Sequence, residues 1–202
     1  MRACPARCAG PTREPLYRSL RIAGIPGRID VQSRGTFGAA MEQRTLSLDS
    51  KDRVAIYTSL GPQLRELLAE ERDLIAAMAN FSALLKESFG WHWIGFYRVV
   101  GAELVLGPFQ GPVACVRIGY GKGVCGMAWQ EEKTLVVPDV DKFPGHIACS
   151  PHSRSEIVVP VRARDGHIAA VLDIDSSELD DFTAVDAHAL EVLCEQLQPL
   201  FE

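Results

Sequence analysis

The stretch Ile157-Val-Val-Pro-Val-Arg-Ala163, Arg164-Asp-Gly166 and Ile168-Ala-Ala-Val-Leu-Asp-Ile-Asp175 reads as two apolar strands folded back around a polar, glycine-containing turn. Moving outward, Trp93–Val100 alternates, Gly101-Ala102 turns, and Glu103–Phe109 returns as a second hairpin. Helical spacing brackets the two hairpins. Leu64, Leu67, Leu68, Leu74, Ile75, Met78, Phe81, Leu85 and Phe89 recur at three- and four-residue steps. They predict one long helix over 62–89, with Pro62 in its first turn and Gly90 as its stop. A shorter helix is expected over 51–59, and a last one over 183–198, opened by a capping box of Thr183 and Asp186. Val124–Glu131 reads as a short helix and Thr134–Val137 as a short strand. Hairpins make an antiparallel sheet. The expected fold is therefore α+β, with the terminal helices on one face of the sheet. The long connections 110–123 and 138–155 would lie over the other face, where binding loops on a rigid scaffold tend to be found.

The 202 residues suffice for one domain with a real core, and 47% hydrophobic with 23% charged residues describes a globular chain. No stretch approaches the roughly 18 apolar residues of a membrane helix. The net charge of −5 argues against a nucleic-acid partner. That total joins two unlike parts. Residues 1–40 hold seven arginines, no lysine and two acids, a net of +5. Residues 41–202 hold 14 basic and 24 acidic side chains, a net of −10. The expectation is a disordered Arg-rich leader over 1–45, or an upstream stretch with the true start at Met41, followed by a folded domain over 46–202. Arg-rich, acid-poor composition also fits an organelle import segment, although four prolines disfavour a presequence helix.

Six cysteines are present, with no apolar signal segment before them, so a reducing, cytoplasmic setting is expected. Cys194 lies among Val192, Leu193 and Leu197 and reads as a buried spacer. Cys149 is different. It sits in the polar segment Pro144-Gly-His-Ile-Ala-Cys149-Ser-Pro-His-Ser-Arg-Ser-Glu156, between His146 and His152 and just before the strand that follows Glu156. A thiol beside a carboxyl group suits a nucleophile working with a general acid. Cys115 and Cys125 lie in glycine-rich loops near Arg117 and Lys122, whose positive charge is expected to lower a thiol's pKa. Three loop thiols point to attack followed by disulfide resolution. Asp173 and Asp175, two apart on an apolar strand, share one face. With Glu156 on the neighbouring strand they predict a wet pocket in which at least one carboxyl pKa rises, against the alternatives of an exposed edge or a hard-metal site. Trp93 and Tyr97 share a strand face, and with Trp91 they are read either as a ligand-facing aromatic wall or as core, whereas Phe96 is read as core.

Five motifs together resemble the free methionine-(R)-sulfoxide reductases, which are single GAF-domain enzymes. They are Gly107-Pro-Phe-Gln-Gly-Pro-Val-Ala-Cys115, Gly121-Lys-Gly-Val-Cys-Gly126, Pro144-Gly-His-Ile-Ala-Cys149, Ser155-Glu-Ile-Val-Val-Pro160 and Val171-Leu-Asp-Ile-Asp-Ser176. The resemblance covers about 50–200 and implies a GAF fold, no cofactor and no metal. It implies reduction of free methionine (R)-sulfoxide with thioredoxin as reductant, in a homodimer. It assigns attack on the sulfoxide sulfur to Cys149, resolution as an intramolecular disulfide to Cys115, and an auxiliary or alternative resolving role to Cys125. Glu156, Asp173 and Asp175 would hold the substrate amino group and sulfoxide oxygen, and Trp93 and Tyr97 would enclose its methyl-sulfur end. Amides around Ile147, Ala148 and Cys149 are expected to grip the substrate carboxylate. The pattern departs from the family's in one place. Many members have an acid just after the attacking cysteine, and here Ser150, Pro151 and His152 follow. The alternative class is a non-catalytic GAF module that senses a small molecule or redox state, which would oxidise once rather than turn over.

Overall fold

Strands β1 (Trp93–Val100), β2 (Glu103–Gln110), β3 (Arg117–Gly119), β4 (Leu135–Val137), β5 (Ser155–Arg162) and β6 (Ile168–Ser176) form one antiparallel sheet in the order β3-β2-β1-β6-β5-β4. The computed structural model describes residues 50–147 and 150–201. The expectations for the leader, for Ala148 and for Cys149 lie outside these residues. Both hairpins form as the sequence predicts. The turn at Gly101 takes φ +63°, and that at Gly166 takes φ +93°, left-handed conformations suited to glycine. The α+β reading holds.

Helices α1 (Ser50–Leu68), α2 (Leu74–Phe89) and α4 (Ala184–Cys194) lie over one face of the sheet. There Leu64, Met78, Phe81, Leu85, Leu190 and Leu197 meet Ile94, Phe96, Ile157, Val159, Leu172 and Ile174 in one apolar core. Phe81 and Phe96 pack edge to face at 5.3 Å. Helix α3 (Gly123–Glu131) packs on β5 and β6, and Val124, Cys125 and Ala128 join Trp93, Tyr97, Val158 and Val171 in a second, smaller cluster.

The helices differ from expectation in their boundaries. The single helix over 62–89 is two helices. The polar run Glu70-Glu71-Arg72-Asp73 separates them, with the Glu71 carboxylate accepting from the N–H groups of Arg72 and Asp73, both at 2.7 Å. Asp73 then caps α2 by accepting from the Ala76 N–H at 2.9 Å. Pro62 opens no helix. It lies on the exposed side of α1, which continues through the segment expected to be a separate helix. The expected final helix stops being α-helical at Cys194 and finishes as a 3-10 segment, Glu195–Leu200, which contains Pro199. The connection 110–123 is also more than a loop. It contains β3, which pairs Arg117 with Val105 and Gly119 with Glu103, and three residues are too few to show a period.

Candidate active site

The register of β1, β5 and β6 builds the site. Asp175 lies between Trp93 on one side and Glu156 on the other, and Glu156 in turn pairs with Val137. One rung along, Asp173 lies between Gly95 and Val158. Residues two apart share a face, so Trp93, Gly95, Tyr97, Glu156, Asp173 and Asp175 all point away from the helical core. The three acids come together as expected.

Gly95 explains the shape of the aromatic wall. A Cβ there would lie 2.4 Å from the Trp93 ring and 2.4 Å from the Phe109 Cβ, so only glycine lets that indole lie down across the strand. Trp93 stacks against Phe109 at 5.3 Å and against Tyr97 at 6.0 Å. Its Nε1–H donates to the Pro112 carbonyl at 3.0 Å, and the Tyr97 hydroxyl donates to the Cys115 carbonyl at 3.0 Å. These two bonds tie the 112–115 segment over the acids. Trp91 does not belong to the wall. It stacks on Phe89 at 4.1 Å in the helical core.

Two adjoining hollows share Asp173 and Asp175. One lies under Trp93, Tyr97 and Ala114. The other is lined by Cys125, His146, Ile147, Ser153 and Glu156 among others.

Burial sets the electrostatics. Glu156 is held well above the usual carboxylate range by desolvation, reinforced by Asp173 and Asp175. Asp173 is likewise held well above it, by burial and then by Asp175. Asp175 is pushed up to about 6 by burial, against a hydrogen bond from Ser153 that stabilises its charge. Three carboxyl groups therefore keep protons further toward neutrality than ordinary acids do. Asp173 is only 7% exposed, and its Oδ1 has no hydrogen-bond partner. His146 Nε2 lies 3.7 Å from Glu156 Oε2. Burial lowers the imidazole pKa while raising that of the carboxyl, and both shifts disfavour an ion pair.

The cysteines separate. Cys115, half-buried, is disulfide-bonded. Cys125 and Cys194 are free and buried. Cys194 sits in the helical core, as expected of a spacer. The expected lowering of the Cys125 pKa by Arg117 and Lys122 is overturned. Burial, with Asp173 and Glu156 beside it, pushes this thiol well up. Its Sγ lies 4.0 Å from Glu156 Oε1, whereas Arg117 and Lys122 are exposed, Arg117 pairing with Glu103 at 3.3 Å. A neutral, buried thiol is a poor nucleophile.

Two further contacts carry no signal in the sequence. Ser153 supports Asp175, and His92 Nε2 lies 3.0 Å from the Ser150 hydroxyl, next to the departure from the family pattern. All are single polar residues in loops, with no periodicity or charge partner in sequence to single them out.

The GAF domain family matches residues 43–198. "GAF domain-containing protein A" of Dictyostelium discoideum is 54% identical over 146 residues, covering 72% of this chain and 90% of the relative. The free methionine-R-sulfoxide reductase of Escherichia coli is 43% identical over 148 residues, covering 73% and 89%. The solved structure of the Neisseria meningitidis free methionine-R-sulfoxide reductase in complex with its substrate is 51% identical, with a TM-score of 0.72, covering 74% and 90%. A sheet whose face opposite the main helical core carries three buried carboxyl groups of raised pKa beneath an aromatic wall, on a backbone shared with these proteins, places the chain in the GAF domain family and, within it, among the free methionine-R-sulfoxide reductases.

Proposed function

We propose that this chain reduces free methionine (R)-sulfoxide to methionine, with Cys149 as the nucleophile, Cys115 as the resolving cysteine and thioredoxin as the reductant. The observation that carries this reading is the row Trp93, Asp175, Glu156 across three strands, with Asp173 beside it and a disulfide-bonded Cys115 on the rim. Attack of a thiolate on a sulfoxide stalls unless the oxygen is protonated as it leaves. Glu156 and Asp173, whose pKa values burial raises well above the usual carboxylate range, supply that need. Asp175, the most acidic of the three, takes the substrate ammonium, together with the unpartnered Oδ1 of Asp173. The face of Trp93 packs against the methyl-sulfur end. Methionine leaves, Cys149 is a sulfenic acid, and condensation with the Cys115 thiol expels water and forms the disulfide. Two thiols of the reductant reopen it. Cys125, neutral and buried, is assigned an auxiliary role.

A homodimer in the cytoplasm is part of the same proposal. It rests on the resemblance and on the cysteine usage. The leader over 1–45 is taken to have no part in the chemistry.

The test is thioredoxin-coupled NADPH consumption with free methionine (R)-sulfoxide, the (S) epimer and a peptide-bound sulfoxide. Multiple turnovers with the free (R) form alone are expected, and none with Cys149→Ser. Full steady-state activity in Cys149→Ser overturns the assignment. A single oxidation without turnover in the reduced wild-type protein leaves a GAF redox sensor.

A further inference from the structure

Cys125 Sγ, a Glu156 carboxylate oxygen and an Asp173 carboxylate oxygen all lie within 4.8 Å of one another, and all three residues are buried. Cys125 Sγ and Glu156 Oε1 are 4.0 Å apart, and His146 Nε2 reaches within 3.7 Å of the other Glu156 oxygen. All four side chains line one hollow. The unpartnered Oδ1 of Asp173, on a side chain more than nine-tenths buried, is a second and independent sign that this hollow awaits a cationic partner. The substrate ammonium meets that need in the reductase reading. The donor set offers more than an ammonium requires.

We infer that Cys125, Glu156, Asp173 and His146 form a zinc site that overlaps the substrate site, so that Zn²⁺ holds the enzyme off reversibly. The choice of ion follows from the donors. Magnesium and calcium take oxygen ligands and decline a thiolate, whereas one sulfur, one imidazole and two carboxylates suit the borderline acceptor Zn²⁺. Zinc–sulfur and zinc–oxygen bonds of about 2.3 and 2.1 Å require the Cys125, Glu156 and Asp173 donors, which lie within 4.8 Å of one another, to draw together, and His146 to turn in from beside the other Glu156 oxygen. Helix α3 carries Cys125 and strands β5 and β6 carry the acids, so three of the four ligands stand on regular elements. Binding exchanges protons for the ion. The Cys125 thiol and any protonated carboxyl group release theirs to solvent, no electron moves, and affinity rises with pH. The inhibitory part of this inference rests on the proposed reductase function. The binding part does not.

The experiment is a titration of the fully reduced full-length chain with Zn²⁺ against a chelating indicator, and with Co²⁺ followed by absorbance. The expected result is one ion per chain and a cobalt–thiolate charge-transfer band in the near ultraviolet that persists in Cys149→Ser. That band is lost in Cys125→Ser, with zinc affinity weakened by about tenfold or more, the scale seen when support of a metal is removed. Free methionine competes with the ion, and affinity increases from pH 6 to pH 8. Equal zinc affinity in wild type and Cys125→Ser overturns the inference, as does a thiolate band that follows Cys149 instead. Circular dichroism and melting of Cys125→Ser separate lost ligation from lost folding, and Glu156→Gln, which leaves the thiol in place, provides a second variant expected to weaken zinc. If zinc binds as stated but the wild-type chain never turns over methionine sulfoxide, the site stands and the reductase reading falls. If turnover proceeds unaffected by zinc and no thiolate band forms, the reductase reading stands and the zinc site falls.

Discussion

Two aspartates, both buried, stand on opposite sides of the sheet and live in opposite ways. Asp186, at the start of α4, is fully buried. One of its oxygens accepts from Arg53 at 2.8 Å and Tyr57 at 2.9 Å, and the other from the Thr183 N–H and hydroxyl at 2.8 and 2.9 Å. Arg53 also pairs with Asp181 and lies over the Trp91 ring at 5.6 Å. Asp173 is nearly as buried, yet it has a second acid two residues along, a thiol and a third acid as neighbours, and one oxygen without a partner. A buried charge that is fully met by donors ties the helices together. A buried carboxyl group surrounded by other acids costs stability and keeps its proton, which is the condition of a site waiting for a ligand.

That contrast gives its largest signal in Asp173→Asn. The amide keeps the shape, loses the acid and removes a repulsion. Turnover with free methionine (R)-sulfoxide is expected to fall by about 10³-fold, the loss seen when one preorganised polar group is removed from a site. Stability at pH 7.5 is expected to rise by about 1 kcal/mol. Chemical denaturation beside steady-state kinetics checks both, and a less stable variant would break the comparison.

Asp186→Asn is the mirror case. It leaves Arg53 less than fully paired in a dry site and is expected to cost about 3 kcal/mol, as broken buried pairs do. Its kcat/KM, measured well below its melting temperature, should match wild type. A catalytic defect without destabilisation would show that the two regions are not independent.

Gly95→Ala tests the floor of the aromatic wall. Because the new methyl group meets the Trp93 ring and the Phe109 Cβ at 2.4 Å, overpacking of about 2 kcal/mol is expected. The Trp93 fluorescence should shift and KM for the substrate should rise more than kcat falls. An unchanged melting temperature would mean that the indole does not lie over this position.

The last effect is in pH. Folded Asp175 keeps its proton to about 6, whereas its ordinary value is 3.8. Between those values the folded state binds more protons than the unfolded one, so this group's stabilisation is greatest at low pH and is lost as pH rises through the window. Asp173 and Glu156, held higher still, carry the decline further upward. The difference in unfolding free energy between wild type and Asp175→Asn should move against wild type as pH rises from 4 to 6. A flat difference would place Asp175 in open solvent.

Much of this architecture is legible in order along the chain. The hairpins are readable because period-two alternation and the turns at Gly101 and Gly166 act over a few neighbouring residues, and the cap at Thr183 and Asp186 acts over one helical turn. The pairing of Asp173 with Asp175 on one face is readable for the same reason. The break between α1 and α2 is hidden because the apolar spacing continues in phase across Glu70–Asp73, while side-chain caps on backbone amides end the helix. The state of the Cys125 thiol is illegible because its nearest charges in sequence are cations, whereas its nearest charges in space are acids from β5 and β6.

By itself the sequence determined which residues alternate, where the chain turns and which side chains carry chemistry, since each of these is settled by steric and hydrogen-bonding preferences within a few residues. Only the tertiary structure decided that Glu156 faces Asp175, that Gly95 lets Trp93 lie across the acids, and that Cys125 is buried among carboxyl groups while Trp91 leaves the site for the core. Register between strands and the depth at which a charge is buried depend on groups far apart in the chain, and desolvation, which raises the pKa values of Glu156, Asp173, Asp175 and Cys125, exists only once they have packed together.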